Sequence, residues 1–195
     1  MVDRLRGAGQ TFANAIDLGR GTGLSGERFR DIADFLCGVD VSPKMIAIAR
    51  KKRIYDATEV AEACNFLEAT PQKFELFIAA DVVVYFGDLS RLLRGIGAAA
   101  SHRALVVFST EKHDWRGYVL RDTGRYAHAP PDVVAWSQKA GFTVLAHEKA
   151  TIRTQTGDWT RLRPAIRGWL AGCRVRFSVW RTAFSVGGRS FPFPP

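Results

Sequence analysis

Three glycines alternate directly after an acidic residue near the start of the chain. Gly19, Gly21 and Gly23 follow Asp17, which itself follows the mostly apolar run 12–16. Glycine reaches positive φ angles without strain and lets backbone amides approach a ligand that a side chain would block. The helix-compatible segment after Gly23 offers unpaired N–H groups at its start. This spacing predicts a loop that binds a nucleotide-like ligand beside a carboxylate.

The same glycines also fit a second ligand class. Residues 21–26, Gly-Thr-Gly-Leu-Ser-Gly, satisfy the dinucleotide fingerprint of NAD enzymes. At the end of the strand, however, the carboxylate of Asp17 would repel a pyrophosphate and attract an ammonium group. This favours S-adenosylmethionine, whose methionyl end carries an ammonium group, over NAD.

A second acid ends the apolar segment 35–39. Asp40 lies 17 residues after Gly23, where a carboxylate can accept the two hydroxyls of an adenosine ribose with either ligand. Ser42 and Pro43 then have the residue types of an N-cap and a first helical position, followed by an amphipathic pattern. A helix that begins directly after Asp40 further favours S-adenosylmethionine over NAD.

At these motifs the chain resembles the class I S-adenosylmethionine-dependent methyltransferases, over roughly residues 12–150. Within that superfamily, segments 24–26, 38–45 and 80–89 look like a bacterial branch of predicted methyltransferases that is associated with tetratricopeptide proteins. The resemblance implies a Rossmann-like α/β fold, with a mainly parallel twisted sheet, helices on both faces and a final antiparallel strand. It also implies methyl transfer from S-adenosylmethionine to an unidentified small-molecule or protein acceptor.

The resemblance assigns cofactor-binding roles position by position. Asp17 would face the amino group of the cofactor directly or through water, the three glycines would form the loop under it, and Asp40 would bind its ribose. The remaining positions are Val41 and Met45 near the adenine, Glu62 and Ala63 beside the adenine amino group, and Ala80 and Asp81 beneath the transferable methyl group.

Three residues are candidates for acceptor-side chemistry. Methyl transfer from a sulfonium is an in-line displacement, so alignment of the nucleophile is the main requirement and a base is needed only for a protonated acceptor. The candidates are Asp81 and Glu111, which follow predicted strands, and His128, which precedes a predicted helix. All three are expected at the edge where α/β sheets bind ligands. Imidazole titrates near neutral pH, although a loop histidine is more often only hydrogen-bonded.

Arg20 departs from the family pattern, in which cysteine or another small residue lies between these glycines. If its side chain turns inward, it would crowd the methionyl end or pair with Asp17 or another carboxylate. Together with the short segment before the first strand and the irregular tail, Arg20 favours a second hypothesis, a catalytically silent adenosyl-binding or interaction module. An NAD-dependent oxidoreductase is a weaker third hypothesis.

Composition separates the chain into two parts. Of the net charge of +9, the tail 153–195 contributes +7, from eight arginines and one acid. We therefore expect a methyltransferase domain at 1–152 and a basic tail, rich in Arg, Trp, Gly and Pro, that is irregular or completes the sheet. Nucleic-acid binding by this tail is possible but not favoured. A shifted reading frame in GC-rich DNA would produce the same abrupt change.

Cysteine spacing and hydropathy set further expectations. Cys37, Cys64 and Cys173 form no metal-binding motif, so we expect no metal and no disulfide. No apolar run approaches the roughly 20 residues that span a bilayer, and the first residues lack the apolar centre of a signal peptide. A soluble cytoplasmic protein is the expectation.

Apolar segments alternate with helix-compatible ones along the chain. The pattern predicts strands at 12–16, 35–39, 58–61, 74–79, 104–109 and 142–147, and helices at 23–33, 43–52, near 65, 88–99 and 131–140. This alternation predicts a mainly parallel sheet with right-handed crossovers.

Overall fold

A nine-stranded, mainly parallel sheet organises the part of the chain that the structure describes, residues 9–151 and 178–186 of a computed structural model. In chain order the strands are β1 (Phe12–Leu18), β2 (Ala33–Asp40), β3 (Ala57–Val60), β4 (Phe74–Ala79), β5 (Ala100–Lys112), β6 (Tyr118–Leu120), β7 (Tyr126–His128), β8 (Phe142–Thr151) and β9 (Ser178–Val186).

The helices alternate with these strands. They are α1 (Leu24–Phe29), α2 (Pro43–Lys51), α3 (Ala63–Ala69), α4 (Ser90–Ala99) and α5 (Pro130–Lys139), with short 3₁₀ turns at Arg30–Ile32 and Val83–Tyr85. As predicted, α2 begins at a proline, and the Ser42 side chain accepts a hydrogen bond from the Met45 N–H. None of the helices in the described ranges is long and apolar enough to cross a membrane.

The strand order reverses in the middle of the sheet. The parallel strands lie in the order β3-β2-β1-β4-β5, so the chain runs outward from β1 on one side and from β4 on the other. Asp17 is the register partner of Gly38 on β2 and of Ile78 on β4. In open α/β sheets, ligands bind outside the carboxyl ends of the strands at such a reversal. The fold therefore places the predicted glycine loop at the expected ligand site.

The sheet ends with antiparallel strands. β9 pairs antiparallel with β5 over Leu105–Glu111, and β8 pairs antiparallel with β9. β9 falls within the predicted tail and is the antiparallel strand that the resemblance implied. The rest of that tail, residues 152–177 and 187–195, lies outside the described residues, as does Cys173.

Apolar side chains cover both faces of the sheet. On one face, Ile16, Leu18 and Phe77 pack with α3, α4 and α5. On the other, Leu36 and Leu76 pack with Phe29, Ile32 and Ile54, which belong to α1 and to the segments beside it. Because strand side chains alternate between faces, Asp17 and Gly38 point toward the α1 face at the carboxyl end of the sheet.

Several element bounds differ from the sequence prediction, and one hairpin was not predicted. The helix predicted at 23–33 ends at Phe29, because the guanidinium of Arg30 donates to the carbonyls of Ala33 and Asp34 and holds a 3₁₀ turn that leads into β2. The strand predicted at 104–109 extends to Lys112, where its end pairs with β7. The hairpin β6–β7 was not predicted, because its strands have only three residues each.

Candidate cofactor and acceptor site

The glycine loop turns the chain back along the end of β2. The Gly19 N–H donates to the Val39 carbonyl at 2.8 Å, and the Gly23 N–H donates to the Arg20 carbonyl at 2.9 Å. The φ angles of Gly19, Gly21 and Gly23 are +63°, +52° and +92°. Side chains with a Cβ rarely adopt these angles, so this turn requires the alternating glycines.

The two ends of the loop differ in what surrounds them. A Cβ built on Gly19 would lie 2.3 Å from Cγ2 of Val82, which follows β4. Among the described residues, none places an atom within 4 Å of a Cβ built on Gly21. The loop therefore packs tightly at Gly19 and is open at Gly21, where a ligand can approach the backbone.

Asp17 is fully buried beneath α1. Its Oδ2 accepts hydrogen bonds from the Ser25 hydroxyl at 2.6 Å and the Tyr55 hydroxyl at 2.7 Å, whereas Oδ1 has no hydrogen-bond partner among the described residues. Burial raises the pKa of Asp17 to about 6, although these hydrogen bonds and the charge of Arg20 act to lower it. Oδ1 is thus the less committed of the two carboxylate oxygens beside the loop.

Arg20 turns into the protein beside Asp17 and is only 2% exposed. Its Cζ lies 4.7 Å from the centroid of the Tyr55 ring, and none of its guanidinium nitrogens has a hydrogen-bond partner among the described residues. A Cβ on Gly38 would lie 2.2 Å from Arg20 Cδ. Gly38 therefore makes room for the buried Arg20 side chain.

Asp40 joins the end of β2 to the glycine loop. Its Oδ2 accepts the Gly21 N–H and its Oδ1 the Ser42 N–H, both at 2.8 Å. A carboxylate has about four acceptor positions, so about two remain for ribose hydroxyls. Val41 and Met45, which follow along the chain, are exposed. Asp40, Val41 and Met45, which the sequence predicts around the adenosine half of the cofactor, therefore follow one another from the end of β2.

Glu62 and Ala63 lie at the start of α3, beyond the neighbouring strand β3. Both carboxylate oxygens of Glu62 accept backbone N–H groups in the first turn of α3, at 2.9 and 3.0 Å. The Ala61 N–H donates to the Asp40 carbonyl at 3.1 Å, and this bond holds the segment beside the end of β2. Glu62 is therefore a helix cap, a role that the sequence analysis had not assigned to it.

Ala80 and Asp81 follow β4 at the same edge of the sheet. Asp81 has a φ of +62°, its N–H donates to the Ser109 hydroxyl of β5 at 3.1 Å, and its side chain is 41% exposed and paired with Arg125. A non-glycine residue in this conformation is strained, so tertiary contacts must hold it there. Such strain is common at ligand sites.

Glu111 and Arg125 lie at the centre of a charge cluster beside Asp81. The Glu111 side chain is 5% exposed, with Oε1 at 2.7 Å from Arg125 Nε and Oε2 at 3.6 Å from Arg121 Nε. Arg125 also pairs with Asp81, and its Cζ lies 5.7 Å from the ring centroid of the exposed Tyr85. Two carboxylates and two guanidinium groups thus balance each other's charge.

His128 is fully buried on β7. Its Nε2 lies 2.9 Å from the Phe86 carbonyl and 3.1 Å from the Gly87 carbonyl, so Nε2 carries the proton, and Nδ1 then accepts the Thr110 hydroxyl. Burial lowers the pKa of His128, which favours the neutral ring. The structure brings His128 next to the end of β5, but both ring nitrogens already bind protein groups.

The structure thus groups most predicted residues into two clusters. Asp17, Asp40 and the glycines lie at the ends of β1 and β2, whereas Asp81 and Glu111 lie at the ends of β4 and β5. Arg125 and Tyr55, which hold these acids, are not among the predicted site residues. No local pattern pointed to either residue, because Tyr55 and Arg125 contact acids 38 and 44 residues away in the chain.

Within residues 9–151 and 178–186, no group of three or more His, Cys, Asp or Glu residues is placed to hold a metal ion. Cys37 and Cys64 are buried free thiols. Burial raises the pKa of Cys37 to about 11, which keeps it in the unreactive protonated form.

A family comparison covers the central part of this site. Residues 16–107 match a family model described as a methyltransferase domain. The matched range contains the glycine loop, Asp40, Glu62 and Asp81. These residues are therefore similar to a methyltransferase domain, in agreement with the Rossmann-like fold.

Curated relatives are similar over part of their length. A ubiquinone biosynthesis O-methyltransferase from Bradyrhizobium sp. (strain ORS 278) is 27% identical over 111 residues, which are 56% of this chain and 44% of that protein. A protein of the same name from Coxiella burnetii (strain Dugway 5J108-111) is 19% identical over 151 residues, 68% of this chain and 64% of that protein. The chain therefore spans less than two thirds of the length of these relatives.

Solved structures resemble the fold over nearly the whole chain. The N-methyltransferase NodS from Bradyrhizobium japonicum WM9 has a TM-score of 0.69 at 16% identity, covering 96% of this chain and 93% of that one. Magnesium protoporphyrin IX methyltransferase from Synechocystis PCC 6803, solved with bound SAM, has a TM-score of 0.67 at 16% identity, covering 95% and 76%. At these identities the similarity shows the shared fold.

Proposed function

We propose that this chain transfers the methyl group of S-adenosylmethionine to a hydroxyl group of a small-molecule acceptor. The observation that supports this most strongly is the position of the glycine loop, Asp40 and Asp81 at the carboxyl ends of β1, β2 and β4, around the strand-order reversal. Ligands bind at this point in open α/β sheets. The cluster of Asp17, Asp40 and the glycines lies on one side of this reversal, and the cluster of Asp81 and Glu111 lies on the other. This arrangement suits a site that binds a methyl donor on one side and an acceptor on the other.

On the donor side, we assign the predicted residues to the parts of the cofactor. Asp40 accepts the ribose hydroxyls while its bonds to Gly21 and Ser42 hold its carboxylate in place. Asp17 faces the ammonium group with its uncommitted Oδ1. The other donor-side residues are Gly19, Gly23, Val41, Met45, Glu62, Ala63 and Ala80.

The cofactor supplies an activated methyl group on a sulfonium. An acceptor hydroxyl that attacked this methyl carbon would displace the sulfonium sulfur and would lose its proton to a base. We assign that step to Asp81, whose half-exposed carboxylate lies at the site edge. Glu111 and His128 act indirectly, because Glu111 holds Arg125 against Asp81 and His128 holds the hairpin β6–β7.

The acceptor class rests on sequence similarity. The curated relatives are named O-methyltransferases, which favours an oxygen nucleophile on a small molecule over a protein side chain. We also place the chain in the bacterial methyltransferase branch that is associated with tetratricopeptide proteins, on the motifs at 38–45 and 80–89. The acceptor would approach beside the exposed ring of Tyr85, which lies next to Arg125.

Asp40→Asn tests the donor side. We expect S-adenosylhomocysteine to bind this variant more weakly by about 1–3 kcal/mol, because the amide loses a charge-assisted acceptor for the ribose. Isothermal titration calorimetry measures the change. The matched control is Asp34→Asn, the same substitution at an exposed position at the other end of β2, which leaves the affinity unchanged.

Other outcomes would support the rival hypotheses. Equal affinity of Asp40→Asn and the wild-type protein would rule out the ribose role. Binding of NAD without binding of S-adenosylhomocysteine would favour an oxidoreductase. Binding of the methyl donor without label transfer from radiolabelled S-adenosylmethionine to phenols, catechols, amines or proteins would favour the silent module.

A further inference from the structure

Arg20 is a buried cation without hydrogen bonds from its guanidinium group to the described residues. Removing a charge from water is costly unless another charge compensates for it. Asp17 interacts electrostatically with Arg20, and Asp17 is itself fully buried with one oxygen unpartnered. The two side chains therefore balance each other's charge without sharing a hydrogen bond.

Tyr55 fixes the geometry of this pair. Its hydroxyl donates to Asp17 Oδ2 at 2.7 Å, and its ring lies under the Arg20 guanidinium at 4.7 Å. Gly38 leaves the space through which the Arg20 stem passes. The positive charge is thus held inside the protein beside Asp17, rather than extended toward solvent where a ligand could displace it.

We propose that Arg20 determines the donor preference of this site, because its buried charge offsets that of Asp17 and weakens the hold on the ammonium group of the donor. The inference rests on the proposed function, in which Asp17 faces that ammonium group. Most of the donor affinity then comes from the adenosine half, through Asp40 and its neighbours. The site discriminates poorly between adenosyl compounds with and without the amino acid portion.

Two neutral variants and one charged variant test the proposal. Arg20→Met keeps an unbranched stem in the space over Gly38, Arg20→Cys introduces the small residue of the family pattern, and Arg20→Lys retains the charge. The probes are S-adenosylhomocysteine and 5′-methylthioadenosine, an adenosyl thioether without the ammonium and carboxylate groups. Calorimetry gives the affinity of each variant for both, and circular dichroism establishes that each variant is folded.

We expect both neutral variants to bind S-adenosylhomocysteine about five- to tenfold more tightly, as removal of a nearby like charge predicts. Their affinity for 5′-methylthioadenosine stays within about twofold of the wild-type affinity, because that probe has no ammonium group. Arg20→Lys keeps the wild-type ratio of the two affinities.

Contrary outcomes can be told apart. An unchanged ratio of the two affinities in the neutral variants would overturn the proposal. Weaker S-adenosylhomocysteine binding at constant 5′-methylthioadenosine affinity would also overturn it and show that Arg20 holds the ligand carboxylate instead. If the wild-type protein binds neither probe, the proposed function itself fails.

Discussion

Single residues decide the shape of the glycine loop in two different ways. Gly19 and Gly21 have similar positive φ angles, but Gly19 faces Val82 and Gly21 faces open space. Conformational strain acts at both positions, whereas steric overlap acts only at Gly19. The two contributions can therefore be separated by the same substitution at the two sites.

Gly19→Ala should destabilise the protein by about 3 kcal/mol, because left-handed strain adds to overlap with Val82. Gly21→Ala carries the strain alone, so we expect a loss of about 1 kcal/mol. Urea unfolding followed by circular dichroism gives both values. Equal losses in the two variants would show that Val82 moves aside freely.

Among the elements, the hairpin β6–β7 connects the core to the charge cluster of Asp81 and Glu111. His128 ties it to the carbonyls of Phe86 and Gly87, and Arg125 ties it to Asp81 and Glu111. Its two strands are too short to be stable without these contacts. The position of Arg125 at the site therefore depends on a buried histidine elsewhere in the same hairpin.

His128→Ala should loosen this hairpin while leaving the glycine loop intact. We expect amide hydrogen exchange in residues 118–128 to accelerate by about tenfold to a hundredfold, which corresponds to a local loss of about 1.4–3 kcal/mol. Affinity for S-adenosylhomocysteine should not change. The control is His102→Ala, since His102 is exposed near the start of β5. Unchanged exchange in the hairpin would contradict the holding role of His128.

The stability of the whole molecule should respond to pH through Asp17. Burial raises its folded-state pKa from 3.8 to about 6. Its protonated form is thus favoured by folding, so this contribution is complete below about pH 4 and is lost as the pH rises through about 6. His128 opposes this trend, because its lowered pKa reduces stability as the pH falls below 6.5.

Asp17→Asn isolates the contribution of Asp17 to this pH dependence. We expect the free energy of unfolding of the wild-type protein to fall relative to that of the variant by about 2.4 kcal/mol between pH 4 and pH 7, most of the free energy that corresponds to the full pKa shift. Urea unfolding at unit pH intervals measures the difference. Asp34→Asn, at an exposed position, should run parallel to the wild-type protein.

Much of the fold is visible in local sequence patterns. The strand predicted at 74–79 has the observed bounds of β4, and the helix predicted from Pro43 begins there because Ser42 caps it. The glycine spacing likewise predicted a turn whose three glycines have positive φ. Such features depend on a few neighbouring residues, so a single sequence contains them.

Local residue types were therefore enough to predict the α/β class, the glycine loop and the strand ends that carry acids. Which charges meet is visible only in the folded chain: Arg125 pairs with Asp81 from 44 residues away, and Arg20 turns inward onto Tyr55. It also revealed that His128 is enclosed by Thr110, Phe86 and Gly87. Backbone conformation follows from local residue types, whereas the partner of a charged side chain depends on distant segments that folding brings together.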